Sequence, residues 1–376
     1  MSFGIYIHFP FCARLCPYCD FNVAVRDMIP HDAYAEAIVA EARRRSEEVC
    51  VYHPLDSLYF GGGTPGMWSP ESVSKAIQGV MDVYGGGHGV EITLEFNPEN
   101  GDLNRLEALR DAGVNRLSIG AQSFQDDHLR ALGRLHSSDH IHASVMQARR
   151  AGFENISLDL IHGIAGQTLA DCRADVRAAM ALGVEHVSFY QLTIESGTSF
   201  GVRSRRGERL LRSDAMLVSM YSTVRQELMN GGYRPYEVSS AARPGFESRH
   251  NHVYWTGGQY VGLGAGAHGF LKMGHFGVRW SNLKKPEQYL NRVREGEFPE
   301  SERTRIDAQE WLEDRVMLAL RMDRGITVDS ELRQCFGGAA GQLVEDGLLI
   351  DDGQHWRVTD RGRLLLDTVV FRLVDG

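Results

Sequence analysis

The stretch Phe9-Pro-Phe-Cys12-Ala-Arg-Leu-Cys16-Pro-Tyr-Cys19-Asp-Phe-Asn holds three cysteines at C-x₃-C-x₂-C spacing. It follows directly on the apolar, β-branched run 5–9, which is typical of a β-strand. The three thiols therefore belong to a loop at the carboxyl end of a strand. In barrels built from βα units, that end of the strands carries the chemistry.

Three thiolates close together favour a soft or borderline metal. A structural zinc needs four protein ligands, and the nearest histidines are His8, inside the strand, and His31, well downstream. A [4Fe–4S] cluster on three cysteines instead leaves one iron open to an external ligand. We predict that Cys12, Cys16 and Cys19 hold such a cluster. Zinc with a distant ligand, or three thiols that bind nothing, is the alternative.

Composition describes an ordinary globular chain of 376 residues, with 43% hydrophobic and 24% charged residues and a formal net charge of −9. The first residues, MSFGIYIHFPF, lack the basic segment and apolar core of a secretory signal. We therefore expect a cytoplasmic, reducing environment, in which clustered cysteines bind metal more often than they form disulfides. The acidic charge argues against nucleic acid as a partner. Cys50, Cys172 and Cys335 are predicted to be packed or idle thiols.

Residues 4–192 alternate short β-branched or apolar runs with longer amphipathic patterns, as expected for βα units around a parallel sheet. Six units without a Rossmann-type opening predict an α/β fold with a partial (β/α)6 barrel. Gly113, Gly152 and Gly183 each follow a helical pattern, where a left-handed cap is needed. The predicted strands are 5–9, 57–60, 91–96, 116–119, 155–160 and 186–191, and the helices are 33–49, 70–83, 103–112, 140–151 and 169–182.

The last segment predicts a small winged-helix-like domain. Leu312, Val316 and Leu320 share one helical face, two more helical stretches cover 328–335 and 340–346, and the runs 348–350 and 356–359 flank a turn. Such domains often bind DNA, but residues 301–376 hold 10 Arg and no Lys against 15 Asp and Glu. That is the wrong sign for a phosphate-binding face, so a packing or docking role is favoured. The predicted domains are 1–200, the barrel; 201–304, a barrel extension with the haem or substrate region; and 305–376.

The cysteine loop, with Tyr18 before its last cysteine, resembles the signature of radical S-adenosylmethionine (SAM) proteins. In that family SAM chelates the open iron of a [4Fe–4S] cluster and is cleaved to a 5′-deoxyadenosyl radical. Over nearly the whole chain, the sequence is similar to the oxygen-independent coproporphyrinogen III oxidase group. The similar motifs begin at Tyr6 (YIHFPFC), Gly61 (GGGTP), Glu95 (EFNP), Gly120 (GAQSF), Leu132 (LGRLH), Asp159 (DLIHG), Tyr190 (YQLTIE) and His250 (HNHVYW).

Polar and glycine residues at successive strand ends are the predicted SAM contacts. Glycines after the second strand let the backbone approach a ligand closely, and Glu95 can accept hydrogen bonds from ribose hydroxyls. The resemblance implies that Arg134 pairs with the SAM carboxylate. A purely structural role for each polar side chain is the alternative. The predicted cofactor contacts are Tyr6, Gly62, Gly63, Thr64, Glu95, Gln122, Arg134 and Asp159.

One position separates the functions within this group. The oxidases carry a further cysteine two residues after the third ligand, where this chain has Phe21. This form resembles the HemW-type haem chaperones. The resemblance implies haem as cargo, delivery to acceptor haemoproteins such as respiratory enzymes, and transient membrane association during delivery; a homodimer stays open. A radical SAM enzyme acting on porphyrins, whether oxidase, methyltransferase or haem-degrading relative, is the alternative.

Imidazoles and aromatic rings in the HNHVYW motif suit an iron bond and a porphyrin face. We predict haem contact at His250, ahead of His252, with hydrogen-bonded core packing as the alternative. The arginines 203, 205, 206 and 209 could pair with haem propionates, although such runs are more often solvated. Arg43–Arg45 is predicted to be the exposed face of a helix.

Overall fold

The computed structural model describes residues 2–49, 54–87, 89–273 and 276–375. Cys50 lies outside the described residues, so the prediction for its thiol is untested. Six parallel strands form the centre of the molecule, and each predicted strand is present with its bounds shifted by two residues or fewer at most ends. The strands are β1 (Phe3–Phe9), β2 (Ser57–Gly62), β3 (Glu91–Phe96), β4 (Arg116–Gln122), β5 (Ile156–His162) and β6 (His186–Gln191).

The six strands pair in chain order from β1 to β6, all parallel. This confirms the partial barrel. The sheet continues beyond β1 through a parallel strand and three antiparallel ones, and beyond β6 through an antiparallel pair. From edge to edge the twelve strands are Glu300–Ile306, Gly277–Asn282, His268–Leu271, Gln259–Leu263, β1 to β6, Ser240–Ala242 and Arg234–Glu237.

Helices connect the strands and bury apolar faces against the sheet. Ser69 and Thr168 cap two of them through side-chain oxygens that accept backbone N–H bonds. Gly113, Gly152 and Gly183 have positive φ of 110°, 88° and 68°, as the sequence predicted. The helices are His31–Ser46, Pro70–Tyr84, Leu103–Asp111, Asp126–Ala131, Ser138–Arg150, Leu169–Ala181, Ser199–Arg205, Asp214–Asn230, Arg249–Trp255 and Pro286–Arg294, with 3₁₀ turns at Pro65–Met67 and Pro98–Asn100; two short strands, Phe11–Cys12 and Ala24–Val25, pair in parallel.

The C-terminal region has an apolar core of its own, centred on Leu312, Val316 and Trp356. One expectation is corrected: 328–335 and 340–346 belong to one helix, Ser330–Glu345. The intervening glycines do not break it, because a buried apolar stripe runs through the whole segment and its packing outweighs their low helix propensity. The other elements are the helices Ala308–Ala319, Asp360–Leu364 and Leu366–Val374 and the strands Ile326–Thr327, Leu349–Asp351 and His355–Val358.

The prediction that Arg43–Arg45 is a solvated face is wrong for Arg45. Its side chain is 0% exposed and pairs with Glu41, Glu48 and Glu300. Arg43 is exposed, so only part of the run faces water. The sequence did not reveal this because the partner strand Glu300–Ile306 lies some 250 residues away.

Polar side chains cross the inside of the barrel from strand to strand. Ser118 on β4 donates to Asp159 on β5 at 3.0 Å, and Tyr59 on β2 donates to Glu95 on β3 at 2.9 Å. Ser157 Oγ lies 2.8 Å from His186 Nδ1 near the amino-terminal end of the strands. The barrel interior is thus a hydrogen-bonded polar layer, open to a ligand at its carboxyl-terminal end.

Candidate cluster and cofactor site

A cavity of about 500 Å³ lies at the carboxyl ends of the barrel strands. We call it the cluster cavity, because the three cysteines of the loop after β1 line it. Ten of the twelve predicted site residues contribute to its wall, and Tyr6 and His250 do not. Those ten are Cys12, Cys16, Cys19, Gly62, Gly63, Thr64, Glu95, Gln122, Arg134 and Asp159.

The three thiols are free and partly accessible. Thr64 Oγ1 donates to Cys12 Sγ at 3.4 Å, and Arg134 Nη1 donates to Cys16 Sγ at 3.7 Å. Burial, above all, raises the pKa of the Cys12 thiol to about 11 and that of Cys19 in the same direction. Metal binding must therefore displace protons here. A hydroxyl and a guanidinium already directed at the sulfurs suit thiolates.

Among the described residues, no three His, Cys, Asp or Glu side chains are placed to hold a single metal ion. An iron–sulfur cluster makes a different demand, because each thiolate binds its own iron atom. Three separate sulfurs on the wall of one cavity, with open volume beside them, fit a cluster and an external ligand.

The glycines at the end of β2, Gly62 and Gly63, allow the backbone to run close beside the cavity. Gly62 has φ of 109°, and a Cβ there would lie 2.4 Å from the His8 ring. A Cβ on Gly63 would lie 2.6 Å from the carbonyl oxygen of Phe11. The Gly62 N–H donates to Glu95 Oε2 at 3.1 Å. Only glycine fits both positions, so the turn and the cysteine loop are packed as one unit.

Two half-buried carboxyl groups line the cluster cavity. Burial, as the largest cause, raises the pKa of Glu95 to about 7, although the Tyr59 hydroxyl and the Gly62 N–H partly stabilise its charge. Burial also raises the pKa of Asp159, against the opposing effect of its serine partners. Glu95 has few partners and can exchange one for a ligand hydroxyl. Asp159 is more fully satisfied by protein groups.

Gln122 and Arg134 complete the wall on the side of β4. Gln122 has φ of 64° and is the one non-glycine residue with positive φ in the described part of the chain. A register shift in β4 accompanies it. Such strain persists only where the surroundings enforce it, and it often marks a ligand site. Arg134 donates to Asn97 Oδ1 at 2.5 Å and to the Gly120 carbonyl at 3.2 Å, so its guanidinium is fixed where a carboxylate could pair with it.

A second cavity, of about 680 Å³, adjoins the first and shares Asp20, Phe21, Gly62 and Glu95 with it. We call it the aromatic cavity. Phe21 is 61% exposed on the border between the two. Tyr6 lines this second cavity, so that predicted cofactor contact lies beside the cluster cavity. Tyr254 and Trp255 of the HNHVYW motif also line it, as the sequence suggested for its aromatic rings, whereas Tyr260, His268, Phe270, Lys284 and Trp311 were not predicted.

One sequence motif could have pointed to this part of the cavity wall. Gly262-Leu-Gly-Ala-Gly-Ala-His268 is a glycine-rich turn that ends on a histidine. A Cβ on Gly266 would lie 2.3 Å from the Asn22 side chain, whose Nδ2 donates to the Ala265 and Lys284 carbonyls at 2.9 Å. Asn22 therefore holds this turn against the segment that follows Cys19.

His250 lies at the opposite, amino-terminal end of the barrel and is 1% exposed. Its Nδ1 is 2.9 Å from Ser57 Oγ, and its Nε2 is 2.8 Å from the Tyr254 hydroxyl. Burial, above all, lowers the pKa of its imidazole to about 3. This placement counts against haem contact at His250 and matches the core-packing alternative, because neither ring nitrogen is free for iron.

The remaining predicted haem groups are also displaced from the cavities. His252 is partly buried, with its ring 5.2 Å from that of Tyr236. Arg203 pairs with Glu208, and Arg205 donates to the Ser196 carbonyl at 2.8 Å on an exposed helix. Cys172 is packed in the core and Cys335 is exposed.

Family models match two parts of the chain. Residues 6–179 match the radical SAM superfamily, and residues 306–365 match the HemN C-terminal domain. The first match contains the cysteine loop and the ends of β2 to β5. The second coincides with most of the C-terminal elements.

Curated relatives match over almost their full length. The chain is 33% identical to the heme chaperone HemW of Lactococcus lactis, over 97% of this chain and 98% of that protein. It is 34% identical to HemW of Bacillus subtilis, over 96% of each, and 32% identical to HemW of Escherichia coli, over 98% of this chain and 97% of that protein.

Among solved structures, the coproporphyrinogen III oxidase HemN from Escherichia coli superposes with a TM-score of 0.82. The match covers 99% of this chain and 90% of that one, at 22% sequence identity. At that identity the likeness establishes a shared fold.

None of the helices in the described residues is both long and apolar enough to cross a bilayer.

Proposed function

Because this chain belongs to the HemW-type haem chaperone family of the radical SAM superfamily, we propose that it binds haem and delivers it to acceptor haemoproteins. The observation that carries the proposal is the pair of adjoining cavities, one lined by three thiols and one by aromatic rings. Phe21 stands between them, at the position where the oxidases of the wider group have a further cysteine. The flat, apolar ring of haem can stack on an aromatic wall. Its propionate carboxylates can pair with cations at the rim of the cavity.

The cluster cavity would hold the resident cofactors. Cys12, Cys16 and Cys19 would bind a [4Fe–4S] cluster, and the cluster's open iron would coordinate SAM. Glu95 would accept from the ribose hydroxyls, Arg134 would pair with the carboxylate, and Gly62 and Gly63 would bring the backbone alongside. Gln122, Thr64 and Asp159 would complete the wall, with Tyr6 at its edge. When bound, the cluster supplies an electron and a coordination site for SAM.

The proposed delivery of haem requires acceptor proteins as partners. Acceptors would be haemoproteins such as membrane-bound respiratory enzymes, and the chain would work in the cytoplasm with transient membrane association during transfer. The acidic C-terminal region, with a local excess of five carboxylates, would serve packing or docking and would not bind nucleic acid. A homodimer is compatible with this scheme and is tested by sedimentation of the anaerobic protein.

Haem retention and transfer test the proposal directly. The anaerobically purified protein should bind haem stoichiometrically and pass it to an apo-cytochrome, measured by the shift of the Soret band from donor to acceptor. Apo-cytochrome mixed with haem that was preincubated with albumin controls for passive release. Absence of stoichiometric binding would contradict the proposal.

A second candidate, a radical SAM enzyme acting on porphyrins, is favoured by the intact wall of the cluster cavity. Incubating the reconstituted protein with SAM, a reductant and coproporphyrinogen III separates the two. A vinyl-bearing product would establish the enzyme. Its absence in the preparation that transfers haem would favour the chaperone.

The cluster ligands have a separate test. Cys12→Ser, Cys16→Ser or Cys19→Ser should each abolish the visible absorbance of the reconstituted cluster, because three cysteines supply all its protein ligands. Cys172→Ser and Cys335→Ser are the matched controls and should retain it. Surviving absorbance in the first set would refute the assignment.

A further inference from the structure

We propose that haem is held in the aromatic cavity, with the imidazole of His268 as its iron ligand and the Lys284 ammonium paired with a propionate. The inference rests on the proposed function, since it names the site of the cargo. It replaces His250, whose ring nitrogens are both engaged.

His268 is an accessible imidazole in the right place. It is the first residue of the strand His268–Leu271, is exposed, and lines the aromatic cavity. Within the described part of the chain, its ring has no hydrogen-bond or ion-pair partner. His8 also lines the cavity, but its Nδ1 lies 3.0 Å from the Tyr6 hydroxyl and its Nε2 2.8 Å from the Asn22 carbonyl. An imidazole is a good ligand for iron, and of the two histidines that line this cavity in the described part of the chain, His268 is the one whose ring nitrogens are not already engaged.

The walls of the cavity suit a large flat ligand. Its volume of about 680 Å³ falls inside the range of roughly 300–1,000 Å³ typical of ligand pockets. Phe270 and Trp311 stack at a centroid distance of 5.8 Å, and Tyr254 meets Tyr260 edge to face at 4.6 Å. Met317 adds a partly exposed thioether. Such rings prefer stacked or edge contacts with another aromatic system.

The charges at the rim single out Lys284. Arg279 is paired with Asp314, and Arg315 donates to Asp329 at 2.6 Å. The Lys284 side chain is exposed, and no acidic partner for it is found in the described residues. Its ammonium can therefore bind a carboxylate without giving up an existing ion pair.

The site is built into the same unit as the cysteine loop. Gly264 has φ of 99°, and a Cβ there would lie 2.5 Å from the His8 carbonyl oxygen. Asn22, three residues after Cys19, donates to the carbonyls of Ala265 and Lys284. A single asparagine thus fixes the turn before His268 and the residue that carries the propionate contact. A cargo with one protein ligand, in an open cavity, can be released to an acceptor.

The iron ligand is tested by haem titration of the full chain. Mutating a residue that only hydrogen-bonds to a metal ligand typically lowers the metal affinity by about 10–100-fold. His268→Gly removes the proposed ligand itself, so it should weaken haem binding by at least about tenfold. It should also lose the histidine-ligated Soret and resonance Raman signature, and added imidazole should restore both. The control His142→Ala removes an exposed histidine on the outer helix Ser138–Arg150 and should change neither.

Two further variants keep the proposal testable if His268→Gly does not fold. Lys284→Gln should weaken haem binding several-fold, as expected for about 1 kcal/mol from an exposed ion pair, yet leave binding of haem dimethyl ester unchanged. Met317→Trp should exclude haem by filling the cavity. Both side chains are partly or fully exposed, so folding is preserved.

The outcomes separate this inference from the proposed function. If the unaltered protein binds no haem, the chaperone function itself fails. If it binds and transfers haem while all three cavity variants match it in affinity and spectrum, haem sits elsewhere and only the site assignment is overturned. Loss of the histidine signature in His250→Gln, but not in His268→Gly, would likewise overturn it.

Discussion

At the scale of single residues, two histidines differ in whether their ring nitrogens already have hydrogen-bond partners. His250 and His268 are the same residue type in neighbouring segments, yet both nitrogens of the first are engaged and the second is exposed and unpartnered within the described residues. A buried polar group without a partner costs about 1–3 kcal/mol, so the fold satisfies the interior imidazole. An accessible one can remain free for a ligand.

Glu95 gives a prediction at this scale. Its pKa of about 7, raised chiefly by burial, exceeds the ordinary value of about 4.3. The folded state therefore binds more protons between these values, and the free energy of unfolding should fall as pH rises through that window. SAM affinity should rise over the same window, because ribose hydroxyls donate better to the carboxylate.

Glu95→Gln removes the titration. Denaturant unfolding of the cluster-free protein between pH 4.5 and pH 8, and SAM binding by calorimetry on the reconstituted protein, measure the two effects. The variant should lose that part of each pH dependence, whereas Glu107→Gln, an exposed change on Leu103–Asp111, should keep both. Identical profiles for Glu95→Gln and the unaltered chain would contradict the prediction.

At the scale of elements, the burial of apolar side chains decides whether a helix continues through glycines. The helix Ser330–Glu345 passes through Gly337, Gly338 and Gly341 because Leu332, Phe336 and Leu343 pack in the C-terminal core. The sequence had predicted two separate helices there, 328–335 and 340–346. The same residue type at Gly62 terminates a strand, because its φ of 109° is closed to other residues.

Gly338 should therefore tolerate a side chain. Its Cβ would meet nothing within 4 Å, so Gly338→Ala should raise the free energy of unfolding by about 0.5–1 kcal/mol through helix propensity. In the control, Gly362→Ala, the Cβ would lie 2.0 Å from the Leu348 carbonyl oxygen, which should destabilise. Urea unfolding followed by tryptophan fluorescence checks both, since Trp356 lies in this core; destabilisation by Gly338→Ala would refute the argument.

At the scale of the whole molecule, long-range ion pairs join the barrel to the strands that extend it. Arg45, on the helix after β1, reaches Glu300 on the far edge of the twelve-stranded sheet and lies over the Trp280 ring at 4.4 Å. Asn282 donates to Glu41 at 2.8 Å in the same cluster. These contacts hold the extended strands, and with them His268, beside the cysteine loop.

Removing Arg45 should be costly. Arg45→Ala leaves Glu41 buried without its cation, and breaking a buried pair typically costs about 3–5 kcal/mol. Arg43→Ala, on the exposed side of the same helix, should stay within about 0.5 kcal/mol of the unaltered protein. Thermal and urea unfolding report the difference. Equal stability of the two variants would contradict the buried role.

The six strands could be read from the sequence alone, and so could ten residues that line the cluster cavity, because most of them lie at or near strand ends in short motifs. Spacing along the chain is enough where geometry is local. Only the tertiary structure decided the burial of Arg45, the engagement of His250 and the aromatic cavity beside Phe21. Those depend on residues that lie far apart in the chain, such as Glu300 beside Arg45 and Ser57 beside His250. Which side chains share a cavity follows from strand order and packing, and no local pattern records either.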